Sequence, residues 1–340
     1  MKSKRTNANF RTKVLLILSI VLLVVVLFCV YRNNNLNKNN HYYITMLGGS
    51  NMEDKGNLNS MGYLIQTVNN KLIVVDGGRD IDSEQLVSDI KSIGNGKVDY
   101  WFLTHAHNDH IGAIMEILKD DTCDICIENL CYHFNTKDWY EENDPTRKEI
   151  AIEFINYISS KDKNNKVKNI IDCKANDIFS IDNLDCKILR IANPDIKESK
   201  YAGNEASMVF KFMMKLKKDN YSDKSMLFLG DSYLETSNEL IQNNYNDLKS
   251  YAVQMAHHGQ DGVSKQVYDA IDPTICFYSC PRWLYDNDNG GGYNSGSWKS
   301  IEVREWIEDP SRKTKSISFQ AFNGDKKIEI TNDGYQEVIN

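Results

Sequence analysis

The stretch "DYWFLTHAHNDH" (Asp99–His110) joins an apolar run to four side chains that bind metals well: His105, His107, Asp109 and His110. The whole chain holds seven histidines, and three of them fall between positions 105 and 110. Residues 98–104 read as a buried strand and 111–119 as a helix, so the cluster lies on the loop between them. Such loops are where binding chemistry is usually placed. On an extended stretch His105 and His107 point the same way and can grip one ion. Asp109 and His110 fall where the chain turns into the helix and can face a second.

Two other apolar stretches end in the same chemistry. "SMLFLGD" (225–231) ends at Asp231, and "YAVQMAHHG" (251–259) carries His257 and His258. Imidazole nitrogen and carboxylate oxygen suit zinc, manganese or iron. A carboxylate such as Asp231 can bridge two ions roughly 4 Å apart, the arrangement that clamps a reacting ester or phosphoryl group. A lone histidine is more often a satisfied core or surface residue. Here seven positions would have to coincide at strand ends. A purely structural zinc site would favour four closed ligands rich in cysteine.

Around these ends, strands and helices interleave. Residues 61–76 read as a hairpin turning at Asn69-Asn70, followed by Asp76-Gly77-Gly78 and a helix starting at Ser83. Residues 206–217 alternate Met208, Phe210, Phe212, Met214 and Leu216 with a period of two. Helices are expected after Pro145, near 234–249 and from Ser264. The stretch 315–334 reads as a terminal hairpin turning at Asn323-Gly324-Asp325. Two mixed sheets packed together and covered by helices would bury this pattern, an α/β class.

The N-terminal region differs from the rest. Residues 14–30 carry no charge and are just long enough to cross a hydrocarbon layer of roughly 30 Å. Five positive charges precede them (Lys2, Lys4, Arg5, Arg11, Lys13). The positive-inside rule then puts residues 1–13 in the cytoplasm and the remainder outside, as a single-pass cell-membrane protein. No small-residue cleavage site follows, which favours a retained anchor over a removed signal peptide. Residues 31–41 read as a polar linker and 42–340 as the folded domain. The chain has a formal charge of −7; without the five positive charges of residues 1–13 the remainder stands at −12. An acidic domain is a poor general receptor for nucleic acid. Eight cysteines without a second Cys-x-x-Cys pair read as buried thiols.

"THAHNDHIGA" resembles the signature of the metallo-beta-lactamase superfamily. Asp76-Gly77-Gly78 is similar to the Asp-Gly of its early strand, and "LFLGDS" to its Gly-Asp motif. "MAHHGQDGVS" and "NEASMVFKF" resemble its His-His-Gly branch, which includes the extracellular hydrolase domain of the DNA-uptake competence protein and the phosphorylcholine esterases of bacterial cell walls. The resemblance spans residues 42 to about 330. It implies an αββα sandwich and two divalent ions, zinc first and manganese or iron next. It implies that His105 and His107 bind the first ion, that Asp109, His110 and His258 bind the second, and that Asp231 bridges. Which of His257 and His258 is the direct ligand stays open. His257 would then contact the scissile group or donate to the leaving group, and Asp109 would orient the attacking water. Many members carry a further histidine between the first motif and the Gly-Asp motif. Here the only histidine in 111–230 is His133, placed early, which argues against antibiotic hydrolysis.

The substrate expected is a small-molecule or cell-envelope phosphodiester. Aromatic residues in 277–298 (Trp283, Tyr285, Tyr293, Trp298), beside Asp286 and Asp288, offer either a cage for a quaternary ammonium or a loop that packs its own rings. An extracellular nuclease is the alternative, though Lys211, Lys215, Lys217 and Lys218 look like a solvated strand face. A lactone or thioester hydrolase, and a surface binding protein with an unused metal site, are the other readings.

Overall fold

The computed structural model describes residues 21, 23–26, 41–49, 58–160, 166–197, 200–216 and 223–339. Residues 41–340 form one compact unit. Its centre is a pair of mixed sheets. The first contains β1 (Tyr42–Met46), β2 (Gly62–Gln66), β3 (Leu72–Asp76), β4 (Lys97–Val98), β5 (Tyr100–Phe102), β6 (Cys126–Tyr132) and β7 (Val167–Asp172). It is completed by β15 (Lys326–Thr331) and β16 (Gly334–Glu337). The second contains β8 (Ile178–Ile181), β9 (Leu184–Arg190), β10 (Val209–Met214), β11 (Ser225–Phe228), β12 (Ala252–Gln254), β13 (Ile275–Tyr278) and β14 (Ile317–Gln320).

Period-two patterning explains why the sheets stack. In β10 and β11, Phe210, Phe212, Met226 and Phe228 enter the core between the sheets, while Val209 and Leu227 enter the core under the outer helices. In β2 and β3, Tyr63, Ile65, Ile73 and Val75 face inward, while Leu64, Leu72 and Val74 pack outward. There they meet Leu86 and Ile90 of the helix Ser83–Gly94 and Ile114 and Leu118 of the helix Asn108–Lys119. Three cores in a row give a helix–sheet–sheet–helix layering.

Strand direction positions the site. Each sheet is antiparallel on one side and parallel on the other: β3, β5 and β6 run parallel in the first, and β11, β12, β13 and β14 in the second. Ligands in open α/β sheets bind beyond the carboxyl ends of parallel strands. The segments leaving β3, β5, β11 and β12 carry Asp76, His105–His110, Asp231 and His257–His258 respectively.

The hairpin of residues 61–76 pairs as expected, Gly62 against Asp76. The terminal hairpin does not form. β14 pairs in parallel with β13, while β15 pairs with β1 in the other sheet. The chain crosses between the sheets at residues 321–325, where Phe322 is buried and Gly324 takes φ 81°. On its other edge β15 pairs with β16. The helix expected near 234–249 is two, Leu234–Asn243 and Tyr245–Leu248. After Pro145 the helix starts only at Lys148, behind a separate short helix, Lys137–Asn143. The seven cysteines from Cys123 onward are free.

Most of the expected membrane anchor, residues 14–30, and all of segments 1–13 and 31–40 lie outside the described residues. Val21 and Leu23–Val26 are helical and exposed. Among the described residues no helix is long and apolar enough to cross a membrane.

Candidate metal centre

Five histidines converge between the two sheets, and each has one ring nitrogen tied to a fixed group. His110 Nδ1 donates to Asp76 Oδ2 at 2.8 Å. His258 Nδ1 donates to the Ser279 carbonyl at 2.7 Å, and His257 Nδ1 to the Asp261 carbonyl at 2.8 Å. His107 Nε2 donates to Asp144 Oδ2 at 2.8 Å. His105 Nδ1 meets Thr104 Oγ1 at 3.2 Å, and that hydroxyl itself donates to Asp76 Oδ2 at 2.8 Å. Carbonyls and carboxylates only accept, so these bonds fix the tautomers. The other nitrogen of each ring is left with its lone pair.

Those lone pairs face one another and two carboxylates. His105 Nε2 and His107 Nδ1 lie 3.0 Å apart. Asp231 is central: His110 Nε2 is 3.2 Å from its Oδ1, and His258, His105 and His257 Nε2 lie 3.6, 3.8 and 3.8 Å from its Oδ2. Asp109 Oδ2 is 3.3 Å from His258 Nε2. Two groups have ligand atoms close enough for an ion: His105, His110 and Asp231, and Asp109, His110 and His258.

Whether this set fits divalent ions is tested by the buried polar atoms. His110 Nε2, His258 Nε2 and Asp231 Oδ1 are buried with no hydrogen-bond partner. Leaving three such atoms orphaned in one place costs free energy that native structures rarely tolerate. A cation among them satisfies all three, and imidazoles held by outer acceptors are what metal sites require. The residues fit.

Electrostatics agree. Burial pushes the Asp231 carboxyl up, but His110, His258 and His257 outweigh it and hold the group well below the usual carboxylate range. Asp109 behaves likewise through His258 and His110. Burial pushes His105 below the ordinary imidazole range, and His110 and His107 add to the effect. Burial pushes His110 down too, but Asp231 and Asp76 outweigh it and raise that ring.

The backbone is shaped for these contacts. His257, His258 and Gly259 take φ of 48°, 61° and 84°, three left-handed residues in sequence. This conformation is costly for a side chain with a Cβ and is typically held at functional sites. It lets adjacent histidines both face Asp231. Gly203 allows a second close approach: a Cβ there would stand 2.1 Å from Asp144 Oδ2 and 2.6 Å from His107 Nε2.

The structure thus brings together His105, His107, Asp109, His110, Asp231, His257 and His258. His133 stands apart, 2.7 Å from Asp172 on β7. The aromatic loop forms no common cage: Trp283 packs on Trp298, Tyr285 turns to Tyr278 and Phe322, and Tyr293 is exposed. Lys211 donates to the carbonyls of Asp247 and Lys249, and Lys215 pairs with Asp185. Lys217 and Lys218 lie outside the described residues.

The sequence reading gave no role to four supporting residues, although one of them, Asn204, opens the quoted "NEASMVFKF" stretch. Asp144 orients His107, and the Asn204 amide donates to His257 Nε2 at 3.2 Å. Gln254 ties the ends of β11 and β12 by accepting from the N–H groups of Leu229 and Gly230. Arg147 reaches His107 Nδ1 and Asn204 Oδ1, each at 3.4 Å. The sequence signals were weak: the Asn204 of the resemblance motif, and an Asp-Pro-Thr-Arg turn before a helix.

No curated protein matches the chain. Among solved structures it is similar to the metallo-beta-lactamase fold protein YhfI from Bacillus subtilis (12% identity, TM-score 0.47, 83% of this chain and 98% of that one). It is similar to unliganded yeast PDE1 (12%, TM-score 0.45, 84% and 98%). It is also similar to a diphosphatase from the PhnP family (10%, TM-score 0.41, 74% and 93%). The family model of the metallo-beta-lactamase superfamily matches residues 56–180, a span that holds Asp76 and His105–His110 but ends before Asp231 and His258. Over residues 56–180 the chain carries a metallo-beta-lactamase superfamily domain.

Proposed function

We propose that this chain is a metal-dependent hydrolase acting on phosphodiesters. The observation that carries the reading is the set of tied imidazoles whose free lone pairs converge on Asp231 and Asp109. His105, His107 and Asp231 would hold one divalent ion. Asp109, His110, His258 and again Asp231 would hold the other. The donor set accepts zinc, with manganese or iron as alternatives. Such a pair supplies an acidified water near neutral pH and positive charge to offset that developing on a phosphoryl group.

The chain's own residues do the rest. Asp109, whose side chain is 18% exposed, borders a cleft of about 510 Å³ shared with Asn59, Arg79, His107 and Arg147. It is placed to accept a proton from the attacking water. Asn204 and Gln260 amides both stand 3.2 Å from His257 Nε2. With its Nδ1–H already given to Asp261, this neutral ring is an acceptor, so a role in positioning substrate suits it better than proton donation. Arg147 on the cleft supports an anionic group at the metal end, while Glu149 and Glu153 on the same cleft disfavour an extended polyanion.

The uncharged run at 14–30, with its basic flank, supports anchorage of this domain outside the cell membrane, acting on small or envelope phosphodiesters. The test uses the full chain in detergent, loaded with zinc or manganese. Hydrolysis of bis-p-nitrophenyl phosphate and p-nitrophenyl phosphorylcholine is expected, with Asp231→Asn as the blank. Metal-dependent cleavage of a lactone or thioester with neither diester touched would replace this reading.

A further inference from the structure

We infer that Arg147 is the specificity residue of this centre, receiving an oxyanion of a phosphate ester beside His107; the inference rests on the hydrolase reading above and names what selects its substrate. Arg147 ends the turn Asp144–Arg147, closed by the Arg147 N–H on the Asp144 carbonyl at 3.1 Å. That turn does two things. Its first residue orients the His107 ring, and its last lays a guanidinium against the same ring and against buried Asn204.

The charge of Arg147 is unmatched. Among the described arginines, Arg79, Arg190 and Arg312 have carboxylates within ion-pair distance. Arg282 and Arg304 lie over the rings of Phe322 and Tyr285. Among the described residues Arg147 has neither kind of partner, and its two contacts there, at 3.4 Å, are long for a charged donor. One of them ends on His107 Nδ1, the lone pair that a bound ion would take. A guanidinium and a cation side by side then need an anion between them. The planar fork of arginine suits two phosphoryl oxygens.

The rest of the cleft defines where the anion sits. Glu149 and Glu153 line its outer wall together with Ile150, and like charge there repels a polyanion. Arg79 is already committed, donating Nε–H to the Asn59 carbonyl at 2.6 Å and lying 4.0 Å from Asp109 Oδ2. The favoured ligand is therefore a single phosphate group at the metal end, not an extended nucleic-acid strand.

Two readouts on the full-length, metal-loaded chain test this. Calorimetric titration with inorganic phosphate should show binding that weakens about 10- to 100-fold in Arg147→Gln, the scale of one charged hydrogen bond, and is partly kept in Arg147→Lys. In parallel, kcat/KM for bis-p-nitrophenyl phosphate should fall by a similar factor in Arg147→Gln, mainly through KM, and be partly restored in Arg147→Lys. Equal phosphate affinity in wild type and Arg147→Gln overturns the inference, as does a wild-type chain that binds no phosphate. Arg147-dependent phosphate binding without any diester cleavage sinks the phosphodiesterase reading and leaves the anion site standing. Arg147→Lys, matched to wild type in circular dichroism, guards against misfolding as the cause.

Discussion

The two halves of the metal centre are built from similar side chains but finished differently. The half around Asp109, His110 and His258 is closed. His110 and His258 are each at most 1% exposed, and their outer nitrogens are held by a buried carboxylate and a main-chain carbonyl. The half around His105 and His107 is the more open: its rings are buried too, but His107 itself lines the cleft, which the first half reaches only through Asp109. Asp144 holds His107, and beyond the ring the Arg147 guanidinium meets His107 Nδ1 and Asn204 Oδ1 only at 3.4 Å. On the metal-centre reading proposed above, the closed half is expected to retain its ion and the open half to exchange. Identical ligand chemistry can thus be divided between holding an ion and meeting a substrate, according to what stands behind each ring.

Five substitutions would break or sharpen this contrast. The largest effect belongs to Asp231, the carboxylate both halves share. Asp231→Asn should lower diester hydrolysis roughly 100- to 1,000-fold, and metal analysis of the purified protein should show loss from both halves. A variant retaining full activity would end the case for a shared centre.

The halves separate next. Asp76→Asn should weaken retention in the closed half and Asp144→Asn in the open one, each by about 10- to 100-fold in metal affinity. Asp76→Asn should also lower the melting temperature, because Asp76 accepts from the Thr104 N–H, the Thr104 hydroxyl and His110, all buried. Competition with a chromogenic chelator reads both. Equal loss from both halves in both variants would show them to be one cooperative unit.

Gly203→Ala should act on the open half alone. The new methyl displaces the Asp144–His107 pair, and about 1–3 kcal/mol of strain is expected. Chemical denaturation gives the stability cost. Metal stoichiometry should fall by the weaker-bound ion only.

The smallest effect is a control far from the centre. Burial pushes the Asp99 carboxyl up, but hydrogen bonds from Lys71, Lys97 and the Leu72 N–H outweigh it and hold it below the usual range. A depressed carboxyl stabilises the fold above the unfolded value near ~4, and that contribution is lost as pH falls through the lower folded value. Asp99→Asn should therefore cost about 1 kcal/mol at pH 7 and flatten the acid limb of the stability curve, leaving metal content unchanged. A change in metal content would mean that stability and site are not separable in this chain.

Much of the centre was legible because its chemistry is local. Three histidines and an aspartate between positions 105 and 110 announce themselves, and apolar stretches ending in Asp231 and His257-His258 supply the rest. The supporting residues were not legible, because their roles depend on contacts at long range. Asp144 is 37 residues from His107, and Asn204 is 53 from His257. Period two identified β10 and β14 as strands but could not say which sheet each joins. Phe319 and Ile328 enter the same inter-sheet core from opposite sides, so the pattern around Asn323-Gly324-Asp325 is that of a hairpin even though the chain changes sheets there. The aromatic loop misled for a related reason. Composition shows that rings are available, but only packing shows that Trp283 and Trp298 satisfy each other.

The ligand set comes from both sheets: His105–His110 follow a strand of the first, Asp231 and His258 strands of the second. Whatever fills the centre is therefore a rivet across the sandwich. Mass action sets its strength: free ion at 100 times its dissociation constant adds about 2.7 kcal/mol to the resistance of the fold. If the proposed centre holds its ions, the same chain in a metal-poor medium should be a looser object, opened more often and cut sooner by proteases. Its lifetime, and not only its turnover, should then follow the supply of ions.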